Sequence, residues 1–331
     1  MRFILAAFCC ILFLTPRPAE AGRPLVTVVN SYHADYLWVQ GHNDALRDRL
    51  EGTAQLAIFY LDTKRTPPET HQAAAELVWR EIDAERPDVL VLADDNAVKF
   101  LGRRAMDNGI PVVFLGVNQN PREYLGGLES ATGVLERPLY KRSLMFLKEI
   151  LGPSLKRSLL LFDSGQTARV ILDSVFKDKT SLHVGDVVAD VRLLGSFAQW
   201  REAILRSKEQ GYDIILMGLY HNLTDEQGHY VPSEEVMAWT SANTPLPIFG
   251  YWDFAVGRGK AVGGLVNSAR PQGEAAADLI LKILAGAKPG SLYPVTPTAG
   301  QFIFSRHELR RWGIKLPESL METDTPILLV D

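Results

Sequence analysis

The strongest constraint on this chain is the recurrence of one local pattern. Short apolar runs rich in β-branched residues alternate with amphipathic stretches of helical period. Residues 25–29, 56–61, 88–92 and 111–115 read as strands, and residues 40–50, 69–84 and 97–108 as the helices between them. In 69–84, Ala73, Leu77, Val78 and Ile82 fall at helical spacing. Strands separated by helices of this length mean βαβ units, hence parallel sheets covered on both faces. A polar stretch follows at 118–131, then a strand at 132–135 and a helix at 137–151 with Pro138 suited to its first turn. The pattern then restarts: strands at 158–162, 186–193, 213–217 and 247–249 alternate with helices at 166–176, 197–209 and 233–243. The expected fold class is α/β, with two lobes of Rossmann-like construction.

One stretch departs from this alternation. Residues 248–286, IFGYWDFAVGRGKAVGGLVNSARPQGEAAADLILKILAG, run from a short strand through an aromatic-acid cluster and a Gly-rich bend. A second strand at 261–266, a polar elbow at 267–271 and a helix to about Ala285 follow. This reads as a chain finishing one lobe and crossing to the other. The expected division is a first lobe of residues 22–135 plus 270–287 and a second of 136–269 plus 288–331. The crossings fall near Glu136, at 267–271 and near Lys288. The tail supplies a strand at 302–304 and a basic helix at 306–312.

The N-terminus reads as a targeting segment. Arg2 precedes an unbroken apolar run at 3–14, and Ala19-Glu20-Ala21 is a small-x-small cleavage site. The run is too short to span a bilayer and is ended by Pro16 and Pro18. Residues 1–21 are therefore expected to be a cleaved signal peptide and the protein to be periplasmic. Both cysteines, Cys9 and Cys10, lie inside this run, so the remainder has no disulfide or thiol chemistry. Without Arg2, Arg17 and Glu20 the 35 basic and 39 acidic residues become 33 and 38. That balance holds no basic stripe for nucleic acid or anionic lipid.

In open α/β sheets, ligands bind beyond the carboxyl ends of strands. Applied strand by strand, that rule selects Ser31, Tyr32 and His33, with Trp38 close behind. It then selects Asp94, Asp95 and Asn96, then Asn118, then Asp163 and Ser164, Tyr220, and finally Tyr251, Trp252 and Asp253. Aromatics, carboxylates and amides together suit a small polar molecule held between rings and hydrogen-bonding groups. Each has a simpler reading: Asp94 to Asn96 as helix N-caps, Trp38 and Trp252 as core, and Asp253 as a solvated carboxylate. The seven histidines make no metal-ligand spacing, and there is no P-loop and no GxSxG elbow. Gly257-x-Gly259 continues with Val262 where a dinucleotide fingerprint needs glycine. No metal, no cofactor and no enzymatic activity are expected.

The chain resembles the type I periplasmic-binding-protein superfamily. Within it, the chain is similar to the ABC-transporter substrate-binding proteins, whose members include tryptophan- and other amino-acid-binding proteins. The resemblance is carried by NSYHADYLW at 30–38, LADDNAVKFL at 92–101, VVFLGVN at 112–118 and TGVLE at 132–136. Above all it is carried by 249–266 followed by PQGEAAADLILKILAG at 271–286. It implies two lobes joined by a three-segment hinge, with ligand in the cleft contacted by the strand-end residues named above. It implies an amino acid or related metabolite as ligand, a monomer, and a membrane permease of an ABC transporter as partner. Related domains also serve membrane sensor kinases, which is the alternative partner. An exported α/β enzyme and a sugar-responsive repressor remain as rivals. The signal peptide and the lack of a helix-turn-helix segment before Leu25 oppose the repressor. Relatives linked to transporters carry a lipid-attachment cysteine that this chain lacks.

Overall fold

A computed structural model describes residues 22–177, 179–297, 300–321 and 326–331. The expected signal peptide at 1–21 lies outside the described residues. The first sheet is built from β1 (Leu25–Asn30), β2 (Gln55–Tyr60), β3 (Val89–Ala93), β4 (Val112–Val117) and β5 (Ala131–Leu135). All neighbours in the order β2-β1-β3-β4-β5 are parallel, with Val28 opposite both Ile58 and Val91. Side chains alternate between faces, as a period of two requires. Val26 and Val28 pack on one side with Leu46, Ala276 and Ile280, whereas Val29 packs on the other with Trp79, Leu101 and Phe114.

The second sheet comprises β6 (Arg157–Asp163), β7 (Ser181–Val184), β8 (Val187–Leu194), β9 (Ile214–Met217) and β10 (Ile248–Gly250). Its order is β10-β9-β6-β8-β7, parallel except for β7, which folds back antiparallel on β8. β7 is absent from the sequence reading because its four residues are mostly half-exposed and carry little apolar signal. A third sheet joins β11 (Gly263–Val266), β12 (Gln301–Ser305) and β13 (Ile327–Val330).

Two helices differ in detail from the sequence reading. The His71–Glu85 helix buries Ala75, Val78, Trp79 and Ile82, while Leu77 faces solvent at 60% exposure. Both faces satisfy helical spacing, and the one carrying the large indole is turned inward. The expected 97–108 helix starts earlier, at Asp94.

The Ala269–Leu284 helix, sequence neighbour of the second and third sheets, packs on the first sheet instead. Ala276, Ala277, Leu279, Ile280 and Ile283 join the core formed by Val26, Val28 and Val91. It lies against the Leu37–Leu50 helix at glycine contacts. A Cβ on Gly273 would stand 2.4 Å from the His42 carbonyl oxygen and 2.8 Å from Ala45 Cβ, and one on Gly41 2.8 Å from Ala269 Cβ. Gly273→Val is therefore expected to destabilise by about 3 kcal/mol, since the backbone contact cannot yield as a flexible side chain can. Urea unfolding measures this, and an unchanged midpoint would show that the helix pair can separate freely. Past Lys288, where the third crossing was expected, the chain still runs along the first sheet: Val295 bridges Val134 beside β5.

Candidate functional site

The carboxyl ends of the strands bring the polar loops together. After β1, Ser31 is fully buried and its hydroxyl works internally: it donates to the Ala93 carbonyl at 2.7 Å and accepts from Ala97 N–H at 2.8 Å. It thus caps the helix after β3 from another strand. Tyr32 reaches across to the second lobe, its hydroxyl 2.8 Å from Thr167 Oγ1. His33 lies beside Asp62, Nδ1 to Oδ1 3.4 Å. Trp38 is buried edge-on to His42.

After β3, three polar residues are buried for different reasons. Asp95 accepts from Asn118 N–H at 3.2 Å, Gln119 N–H at 3.0 Å and the Tyr124 hydroxyl at 3.3 Å, which ties down the loop after β4. Asn96 donates to Thr63 Oγ1 at 2.8 Å. Asp94 holds a left-handed backbone, φ 65°, and its Oδ2 has no hydrogen-bond partner. None of the three acts as the helix N-cap, a position that falls to Ala93. Burial, then the charges of Glu136 and Asp95, hold the Asp94 carboxyl well above the usual carboxylate range.

On the second lobe, Asp163 accepts three backbone N–H groups, from Gly165 at 2.9 Å, His221 at 2.7 Å and Asn222 at 3.1 Å. It binds the loop after β6 to the loop after β9. Ser164 lines the mouth of the inter-lobe cleft. Tyr220 stacks on His221 with ring centroids 4.4 Å apart. Tyr251 is buried and its hydroxyl has no partner. Trp252 is also buried, and its Nε1 donates to Glu136 Oε1 at 2.6 Å. Asp253 accepts from Phe254 N–H at 2.8 Å and lines a separate pocket with Ser268 and Arg270. It stands apart from the residues lining the cleft mouth.

Four residues outside the predicted set take central places: Tyr36, Lys64, Glu136 and His221. Tyr36 packs 4.7 Å from His221 and 5.5 Å from Phe254, so a first-lobe ring sits among second-lobe rings. Lys64, only 6% exposed, places its ammonium 4.3 Å from the Tyr32 ring centre and 5.4 Å from that of Tyr36. Its carbonyl accepts from Asn222 Nδ2 at 3.0 Å. Glu136, directly after β5, accepts from Asn118 Nδ2 at 2.9 Å besides Trp252. Burial pushes its carboxyl up to about 7, against the pull of those two donors. Burial likewise lowers His221, which is therefore neutral. A lysine four residues past the end of β2, in a polar loop, reads as solvated. Only its place just beyond the end of β2 marked it for the site.

The mouth of the cleft is a cavity of about 770 Å³, lined from both sides by Tyr32, Lys64, Asn96, Ser164, Thr167 and Asn222. That size suits a small molecule.

A sequence model described as ABC transporter substrate binding protein matches residues 25–326. No curated protein matches the chain. Among solved structures, an ABC domain from Streptococcus pneumoniae in complex with L-Trp is similar at a TM-score of 0.64 and 17% identity, covering 92% of this chain and 100% of that one. A conserved domain protein from Vibrio cholerae has a TM-score of 0.63 and 19% identity, with 93% and 99% covered. The ligand-free, open structure of CD0873, a substrate binding protein with adhesive properties from Clostridium difficile, has 0.59 and 13%, with 93% and 99% covered. These likenesses establish the type I periplasmic-binding-protein fold. The family match spans both five-stranded sheets and every loop described above, and the chain belongs to the ABC transporter substrate-binding protein family.

Proposed function

We propose that this is a periplasmic solute-binding protein, exported through a cleaved signal at 1–21, that captures a small polar solute between its lobes and presents it to an ABC permease. The ligand class is an amino acid or related metabolite, and the family is one of substrate-binding proteins, not of enzymes. One observation carries the reading. The cleft mouth is a cavity of about 770 Å³ lined by polar groups of both lobes, among them Lys64, Asn96, Ser164 and Asn222. Buried polar atoms without partners, Asp94 Oδ2 and the hydroxyls of Tyr140 and Tyr251, belong to segments that follow the strand ends. Each such atom costs about 1–3 kcal/mol, and a polar solute seated among them removes that cost. The ligand named for the similar Streptococcus pneumoniae structure, L-Trp, supports the amino-acid class.

The lobes would close by rotation about crossing segments at Glu136, at 267–271 and after Val295. These segments already touch, as Ser268 Oγ donates to Gln301 Oε1 at 3.2 Å. The solute favours closure to the extent that it binds the closed form better than the open one. A thermal-shift screen of the chain from Gly22 against amino acids, nucleobases, sugars and carboxylates tests this. A solute at a hundredfold over its Kd is expected to stabilise by about 2.7 kcal/mol. No shift with any class would defeat the reading.

A further inference from the structure

Lys64 and Asp94 are both buried beyond the carboxyl ends of the first sheet's strands, and no ion pair joins them. Lys64 comes from the loop after β2 and Asp94 from the helix after β3, and they are 6% and 2% exposed. Among the described residues, no carboxylate lies within 4.0 Å of the Lys64 ammonium to form an ion pair. The ammonium rests on the faces of Tyr32 and Tyr36 instead. Asp94 Oδ2 is left without a donor. Each group nevertheless feels the other's charge, and Tyr32 feels Asp94 as well as carrying Lys64 on its face.

Buried charges are ordinarily paired, because an unpaired one is costly in a medium of low polarity. Here an amine and a carboxyl are buried without bonding each other, and burial opposes the charged form of both. Asp94 is also kept in a left-handed backbone at φ 65°, which costs a residue other than glycine stabilisation and is typical of positions held for a ligand. A bound group placed between the two must offer an acceptor to one and a donor to the other.

We propose that Lys64 and Asp94 read the two poles of one zwitterionic amino-carboxylate solute, the Lys64 ammonium taking its carboxylate and Asp94 Oδ2 its ammonium. This rests on the inter-lobe cleft, which Lys64 lines, being the solute site, and it fixes the residues and the orientation of the solute there. A neutral polyol would satisfy Asp94 but leave Lys64 without an anion. A simple carboxylate would do the reverse. The aromatic faces of Tyr32 and Tyr36 close over the carboxylate end, where exclusion of water strengthens the charge contact.

Calorimetric titration tests the assignment on the chain from Gly22 with three probe sets: L-amino acids, their carboxamides, and the corresponding acids lacking the amine. The amino acid that binds is expected to do so at least about tenfold more tightly than either analogue, as loss of a charged hydrogen bond implies. Lys64→Met is expected to erase the preference for acid over amide and to leave the preference for the amine. Asp94→Asn is expected to do the opposite, and Lys64→Arg to retain most of the acid preference. Circular dichroism checks that each variant folds, and the analogue preferences of the parent chain decide the matter if one does not. Three results would overturn the proposal. Equal loss for all three probe sets in both variants would make the residues structural and leave solute capture standing. Binding of sugars or nucleobases with no amino acid bound would also leave it standing. Binding of nothing at all would remove both readings together.

Discussion

Trp252→Ala is expected to lower the free energy of unfolding by about 4 kcal/mol, before any solute is added. The indole is 2% exposed, lies parallel to Phe254 at a centroid distance of 6.2 Å and meets Tyr251 edge-on. Its removal opens a cavity that these flanking rings cannot fill. It also takes from Glu136 Oε1 its 2.6 Å donor and leaves a buried carboxyl short of a partner, a loss of about 1–3 kcal/mol that overlaps the cavity cost. Trp252→Phe separates the two contributions. It keeps most of the bulk and loses only the N–H, so its expected cost is about 1–2 kcal/mol. Guanidinium unfolding of the unliganded chain measures both. An unchanged midpoint in Trp252→Ala, with only solute affinity reduced, would instead make the ring a stacking platform for the ligand.

That residue also shows where a sequence can be read and where it cannot. Periods of two and of 3.6 are local, so the strand-helix alternation and the fold class were legible. The βα order places Ser31, Asp94, Asn118, Asp163, Tyr220 and Tyr251 at strand ends, and the loops do converge there. What one chain does not encode locally is the direction of a polar side chain at such an end. Ser31, Asp95 and Asp163 turn to backbone groups of neighbouring loops, and their composition is the same as that of a ligand-facing residue. Asp94 differs from Asp95 in its left-handed backbone and in what surrounds it, neither of which is local in sequence. Lys64 and Glu136 were not selected because each owes its place to residues far off in sequence: Glu136 bonds Trp252, 116 positions away. The third sheet was illegible for the same reason, since β11 and β13 each pair with β12 across long intervening stretches.

The second large effect expected is a loss of stability as pH rises through neutrality, and its removal by Glu136→Gln. Burial raises the Glu136 carboxyl from 4.5 to about 7. Between those values the folded chain keeps a proton that the unfolded chain has released. Stability from this group is therefore complete below about pH 4.5 and is lost as pH rises through about 7, a total of about 3 kcal/mol. Asp94 and Asp95, also raised by burial, slope the same way, so the difference between parent and variant is the quantity to read. The protonated carboxyl needs an acceptor for its O–H. Asn118 Oδ1 has no partner, and rotation of that amide presents it to Glu136 in place of Nδ2. A glutamine amide can make the same donation while its carbonyl keeps the Trp252 N–H. Glu136→Gln should thus match the parent near pH 5 and exceed it by up to about 3 kcal/mol at pH 8 in urea unfolding. Parallel curves for the two chains would mean that Glu136 is ionised throughout and that its two donors outweigh its burial. If the curves diverge as expected, Glu136 is a neutral carboxyl in acid and a charged one in base. The Trp252 N–H bond to it strengthens over that interval, since a carboxylate accepts better than a neutral carboxyl, and the stability lost is the cost of burying the charge.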